Sequence, residues 1–71
     1  MTELEIEAFL AIVKSGSISA AAQELYVTQP ALSRRIGALE QELGYCLMNR
    51  KKGVRNIELT REGRAFIALA E

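Results

Sequence analysis

The chain has 71 residues, 49% apolar and 25% charged, enough for one small domain with a single core, since only about 60% of the unfolded surface can be buried at this size. Nine basic residues balance nine acidic ones, so net charge favours no partner; no histidine and one cysteine argue against most metal sites, any disulfide framework and the usual general base of nucleophilic catalysis. No apolar stretch approaches ~18 residues, and Met-Thr-Glu-Leu-Glu lacks the basic-then-apolar layout of a signal peptide, so the expectation is a soluble, cytoplasmic, non-enzymatic module without metal or cofactor.

Residues 3–14 read as a first helix. Ile6, Phe9, Leu10 and Val13 fall at helical spacing. Glu3, Glu5 and Glu7 lie near its start, where the macrodipole favours negative charge. Lys14 lies at its end, and Gly16 can supply the left-handed residue that stops it. A second helix of about two turns follows, capped by Ser17 or Ser19. Ile18, Ala21, Ala22 and Leu25 mark its inner face, and Ala20-Ala21-Ala22 keeps it thin enough for close packing. So short a helix is stable only when packed. Tyr26-Val27-Thr28 makes a tight connection. Thr28 is a natural cap for a third helix, with Pro30 in its first turn; because proline restricts the residue before it, Gln29 is the alternative cap. This helix runs to about Leu43 and ends at Gly44.

At 100° per residue, Leu32, Ile36, Leu39 and Leu43 form one buried stripe. Opposite lie Pro30, Arg34, Gly37, Ala38 and Gln41, with Ser33 and Arg35 on the flanks. After Gly44, residues 46–50 and 56–59 have strand-like composition around Lys51-Lys52-Gly53-Val54-Arg55. They predict a short antiparallel ribbon with a basic tip. Thr60 then caps a fourth helix, with Glu62 in its first turn. Phe66, Ile67 and Leu69, with Ala65, Ala68 and Ala70, make that helix apolar on more than one side.

The balanced total hides a sorting of charge. Residues 1–32 carry four glutamates against Lys14, a net of −3; residues 33–61 carry seven basic against three acidic residues, a net of +4. Local potential, not the sum, steers a polyanion. A solvated loop also explains Arg50-Lys51-Lys52 taken alone. Capping alone explains Thr28 and Ser17, and Arg34 and Arg35 could pair with Glu40. The combination says more: a short helix, a tight turn, a third helix with a polar outer N-terminal face, then a cationic hairpin. That is a helix-turn-helix layout. Glutamine can pair bidentately with adenine and arginine with guanine, while serine donates or accepts. Gln29, Ser33 and Arg34 supply that chemistry, and Pro30 and Ala31 offer an apolar surface to a thymine methyl. Thr28 and Arg35 suit phosphates, which position without specifying. The basic tip would follow the backbone or enter the minor groove.

Residues 16–44, GSISAAAQELYVTQPALSRRIGALEQELG, resemble the N-terminal winged helix-turn-helix of LysR-type transcriptional regulators. Thr28-Gln29-Pro30-Ala31-Leu32-Ser33-Arg34 is the most specific run. Leu59-Thr60-Arg61-Glu62-Gly63 resembles the start of the family's linker helix. The likeness extends from Leu4 to about Ala68. Two departures are a Gly44–Thr60 stretch slightly longer than usual, and Met48 where the family commonly has phenylalanine.

The resemblance implies a mainly α fold: a three-helix core, a short antiparallel β-ribbon wing and the start of a linker helix. It implies a DNA-binding domain over 1–59 and the beginning of a dimerisation helix over 60–71. Gln29, Pro30, Ala31, Ser33 and Arg34 would face bases, and Thr28 and Arg35 the backbone. Arg50, Lys51, Lys52 and Arg55 would form the wing, and Phe66, Ile67, Leu69 and Ala70 the dimer contact. The partner would be double-stranded promoter DNA carrying an interrupted inverted repeat. It would be bound by a homodimer, or by a higher oligomer in a full-length regulator. A small-molecule effector would bind only through a further domain, for which 71 residues leave no room; the abrupt apolar end at 65–70 favours a fragment of a longer regulator. The rival expectations are a winged-helix protein-interaction module, which would expose an apolar patch, and an architectural DNA-binding module. An enzyme fits poorly: Glu40 and Glu42 point different ways on one helix, and Cys46 reads as a small apolar residue near the ribbon.

Overall fold

Helix α1 (Glu3–Ser15) starts at Thr2, whose hydroxyl accepts the Glu5 N–H while the Glu5 carboxylate accepts the Thr2 N–H. This capping box satisfies two of the free ends of the first turn. The helix stops at Gly16, which is left-handed with φ 84°. Ser17, rather than Ser19, caps α2 (Ile18–Glu24) by accepting the Ala20 N–H at 3.1 Å. Thr28, rather than Gln29, caps α3 (Gln29–Leu43), which ends on left-handed Gly44. The chain then forms β1 (Met48–Asn49) and β2 (Glu58–Leu59), and Thr60 caps α4 (Arg61–Ala70). The computed structural model describes residues 1–49 and 57–71. The ribbon tip expected at 51–55 lies outside the described residues.

The end of α2 has a local cause. The Val27 N–H donates to the Ala22 carbonyl at 3.0 Å and the Tyr26 N–H to that of Gln23 at 3.2 Å. That pair of bonds is a Schellman motif, with Val27 folding back onto the core and Tyr26 in the left-handed position. Tyr26 has φ 58° and is the one non-glycine residue with positive φ among those described. A residue with a Cβ gives up about 1–2 kcal/mol in that conformation.

The core is built from Phe9, Ile12, Leu32, Ile36, Leu39 and Leu47, all fully buried. Helix α1 packs on both α2 and α3, and those two pack on each other. The third helix buries the expected stripe of Leu32, Ile36 and Leu39, with Leu43 half-buried at its end. Of the stripe expected on the first helix, only Phe9 is fully buried. The deepest residues of α1 are Ala8, Phe9, Ala11 and Ile12, while Ile6, Leu10 and Val13 are half-buried flanks. The inner face is therefore turned by roughly a third of a turn at 100° per residue. Small residues lie at its centre, where two helices approach α1 at once.

The ribbon pairs only Met48 with Leu59 and Asn49 with Glu58, antiparallel. Side chains and loop amides secure it. Glu40 of α3 accepts the Leu47 N–H at 2.7 Å. The Thr60 N–H donates to the Leu47 carbonyl at 3.1 Å, and its hydroxyl donates to the Cys46 carbonyl at 2.7 Å. The Ile57 N–H reaches back to the Gly16 carbonyl at 3.0 Å. Cys46 itself is exposed, not tucked beneath the ribbon as an apolar residue would be.

Helix α4 corrects a second expectation. Phe66 is 2% exposed and sets its ring edge-on to Phe9, centroids 5.5 Å apart. It belongs to the protomer's own core and is not a free dimer contact. Ile67 and Ala70 are half-buried against the same core. Of the four residues assigned to self-association, only Leu69 stands out, 79% exposed.

Candidate nucleic-acid interface

The N-terminal turn of α3 is presented tip-first by the turn that follows α2. The inward row of Leu32, Ile36 and Leu39 anchors one side of the helix. By helical geometry the opposite side must face outward. Gln29, Pro30 and Arg34 are exposed, and Ala31, Ser33 and Arg35 are half-buried. The polar groups that sequence reasoning aimed at base edges therefore lie together at one helix end.

Pro30 sits in the first turn, where a missing N–H breaks no helical bond. The Thr28 oxygen accepts the Ala31 N–H at 3.2 Å. That engages only one lone pair, so the hydroxyl proton is still available to an outside acceptor such as phosphate. Capping and phosphate contact are thus compatible in one side chain. The Arg34 Nε lies 3.5 Å from the Pro30 carbonyl. The bond is long and weak, but it draws the guanidinium toward the N-terminal tip. Among the described residues neither Arg34 nor Arg35 forms an ion pair. Glu40, the partner considered for them, ties α3 to the Leu47 N–H. Arg50, Lys51, Lys52 and Arg55, assigned to the wing, lie outside the described residues.

Sequence reasoning missed Tyr26. It treated the residue as part of a tight connection, whereas the ring is 95% exposed next to the helix tip. A signal was available: an aromatic at the position where the turn of a helix-turn-helix often has glycine.

A concavity lies between α1 and α2, floored by Ile6, Leu10, Ala11 and Leu25. Charged residues Glu3, Glu7, Lys14 and Glu24 line it, with Lys14 and Glu24 paired at 3.8 Å. Its lining holds no serine, threonine, cysteine or histidine. Among the described residues no cluster of three or more metal-ligating side chains occurs, and no helix is long and apolar enough to cross a membrane.

Residues 4–64 match the model of the bacterial regulatory helix-turn-helix protein, lysR family. An HTH-type transcriptional regulator from the ibpB–leuC intergenic region of Azotobacter vinelandii is 45% identical over 65 residues, covering 92% of this chain and 44% of that protein. The regulator TcbR of Pseudomonas sp. strain P51 is 41% identical over 63 residues, 89% of this chain and 21% of that one. The chain therefore spans less than half the length of these curated relatives. Among solved structures, the DNA-binding domain of CbnR in complex with DNA superposes with a TM-score of 0.91 at 40% identity, covering 99% of this chain and 78% of that one. The BenM DNA-binding domain on its benA site 1 DNA gives 0.84 at 40% identity, covering 97% and 76%.

Proposed function

The chain belongs to the LysR family of bacterial regulatory helix-turn-helix proteins, and from that premise we propose that it reads promoter DNA in a sequence-specific way. Helix α3 enters the major groove tip-first. Gln29, Pro30, Ala31, Ser33 and Arg34 meet base edges; Thr28 and Arg35 hold phosphates. The basic residues Arg50, Lys51, Lys52 and Arg55 lie along the adjacent minor groove. Residues 1–59 form the reader, and 60–71 begin the helix that pairs two copies on an inverted repeat. The setting is the bacterial cytoplasm, at the nucleoid.

One observation carries this reading. The N-terminal turn of α3 exposes Gln29, Pro30 and Arg34 while the reverse side of the helix is buried to 0%. A helix of this kind fits the major groove with its first residues foremost. The DNA-bound state of the CbnR and BenM domains supports it. A helix that served only assembly would carry an apolar outer face instead.

Selection of bound duplexes from a random pool tests the function. Enrichment of a two-fold repeat is expected. Strong but uniform binding would favour the architectural reading, and no binding would refute both. On the enriched duplex, Gln29→Ala or Arg34→Ala should cost roughly 1–3 kcal/mol at particular base pairs. An Arg34→Ala protein with unaltered base preference would remove that residue from the readout. Lys51→Ala or Lys52→Ala should weaken every sequence alike and flatten the dependence of log K on log salt, because each phosphate neutralised releases counterions. Unchanged slopes in both variants would take the wing off the backbone.

A further inference from the structure

The tip of the turn between α2 and α3 carries a side chain that the fold does not use. Tyr26 occupies the left-handed position that closes α2, where glycine is the residue of least strain. The backbone bonds of the Schellman motif, from Tyr26 to Gln23 and from Val27 to Ala22, involve only main-chain atoms. Any residue able to take that φ could make them. The ring is 95% exposed. Its hydroxyl makes no hydrogen bond among the described residues, and the Phe9–Phe66 pair is the one ring contact described. A tyrosine here strains the backbone and buries almost nothing among the described residues. Strained positions of this kind concentrate where a molecule meets its ligand.

Its place in the fold says which ligand. Tyr26 lies two residues before Thr28 and three before Gln29, so its Cα is at most about 7 Å from that of Thr28. The residue therefore borders the helix tip that enters the groove, with its ring in solvent. A rigid aromatic with a single donor suits the sugar–phosphate backbone flanking that tip, and tyrosine is among the side chains that make such contacts. Resting on the DNA-binding reading above, we propose that Tyr26 contacts the DNA backbone beside α3, its hydroxyl donating to a phosphate oxygen and its ring covering the neighbouring sugar.

Tyr26→Gly and Tyr26→Phe test this against the wild-type chain. Affinity is read by fluorescence anisotropy on a duplex enriched from the random pool, and melting by circular dichroism. Tyr26→Gly relieves the left-handed strain and should raise Tm by a few degrees while weakening DNA binding. A residue with a merely structural role could not move those two readouts in opposite directions. Tyr26→Phe keeps the ring and should lose roughly three- to tenfold in affinity, the range of one hydrogen bond. Because tyrosine is neutral, neither variant should change the salt slope. Wild-type affinity in Tyr26→Gly would overturn the contact and leave a protein partner as the ring's occupant. A wild-type chain that binds no duplex would instead overturn the DNA reading on which this contact rests.

Discussion

Gly63→Ala should destabilise the protein strongly, and Gly63→Val more strongly still. A Cβ at Gly63 would overlap the Leu47 carbonyl oxygen and lie 2.9 Å from its carbon. Both are backbone atoms, so no side chain can rotate aside. Nor can that carbonyl retreat at no cost, because it accepts the Thr60 N–H at the base of the ribbon. Forcing extra volume into a packed site costs about 1–3 kcal/mol, and here the neighbour is rigid. A domain of 71 residues has only ~4–10 kcal/mol in total. Since each kcal/mol moves the midpoint by roughly 4–8 °C at this size, Tm should fall by more than ~10 °C. Gly37→Ala is the matched control. Gly37 lies inside α3 with nothing within 4 Å of its Cβ position, and alanine there should stabilise by about 0.8–1 kcal/mol through helix propensity. Thermal melts of the two variants should thus shift in opposite directions. A Gly63→Ala protein melting within a degree or two of wild type would mean that α4 does not seat on the Leu47 carbonyl.

Phe66→Ala should cost about 3–5 kcal/mol, the range for removing a buried phenylalanine. Part of that is the edge-on contact with Phe9, a geometry worth roughly 0.5–1.5 kcal/mol beyond the area it buries. Phe9→Ala should be as severe, and the double variant should lose less than the two single losses combined, because the rings share one contact. Leu69→Glu provides the contrast. That side chain is 79% exposed, so the melt should stay close to wild type while any self-association through α4 weakens. Urea unfolding reports the first effect and light scattering the second. If Phe66→Ala kept wild-type stability and altered only assembly, the residue would belong to an interface between copies.

These two cases divide what could be read in the chain from what could not. Helix limits were legible because their causes are local. Ser17, Thr28 and Thr60 cap through amides three residues away, and Gly16 and Gly44 end helices by adopting positive φ. The buried stripe of α3 followed from the 3.6-residue period. So did the outward placement of Pro30 and Arg34, whereas Gln29 is exposed because it is the first residue of the helix. The first helix misled because leucine and valine were given more weight than alanine. Its burial depends on two neighbouring helices, not on its own hydrophobicity.

By itself, then, the sequence determined where helices start and stop, which side of α3 turns inward, and the family to which the chain belongs. Only the tertiary structure decided that Phe66 closes the core against Phe9, that Gly63 is a seat for the Leu47 carbonyl, that α1 buries its alanines, and that the Tyr26 ring stands in solvent. The physical reason is distance along the chain. Caps and periodic faces arise from residues a turn apart, whose geometry the backbone imposes. Close packing joins residues far apart in sequence, and their fit follows from shape in three dimensions, of which the order of residue types carries little trace.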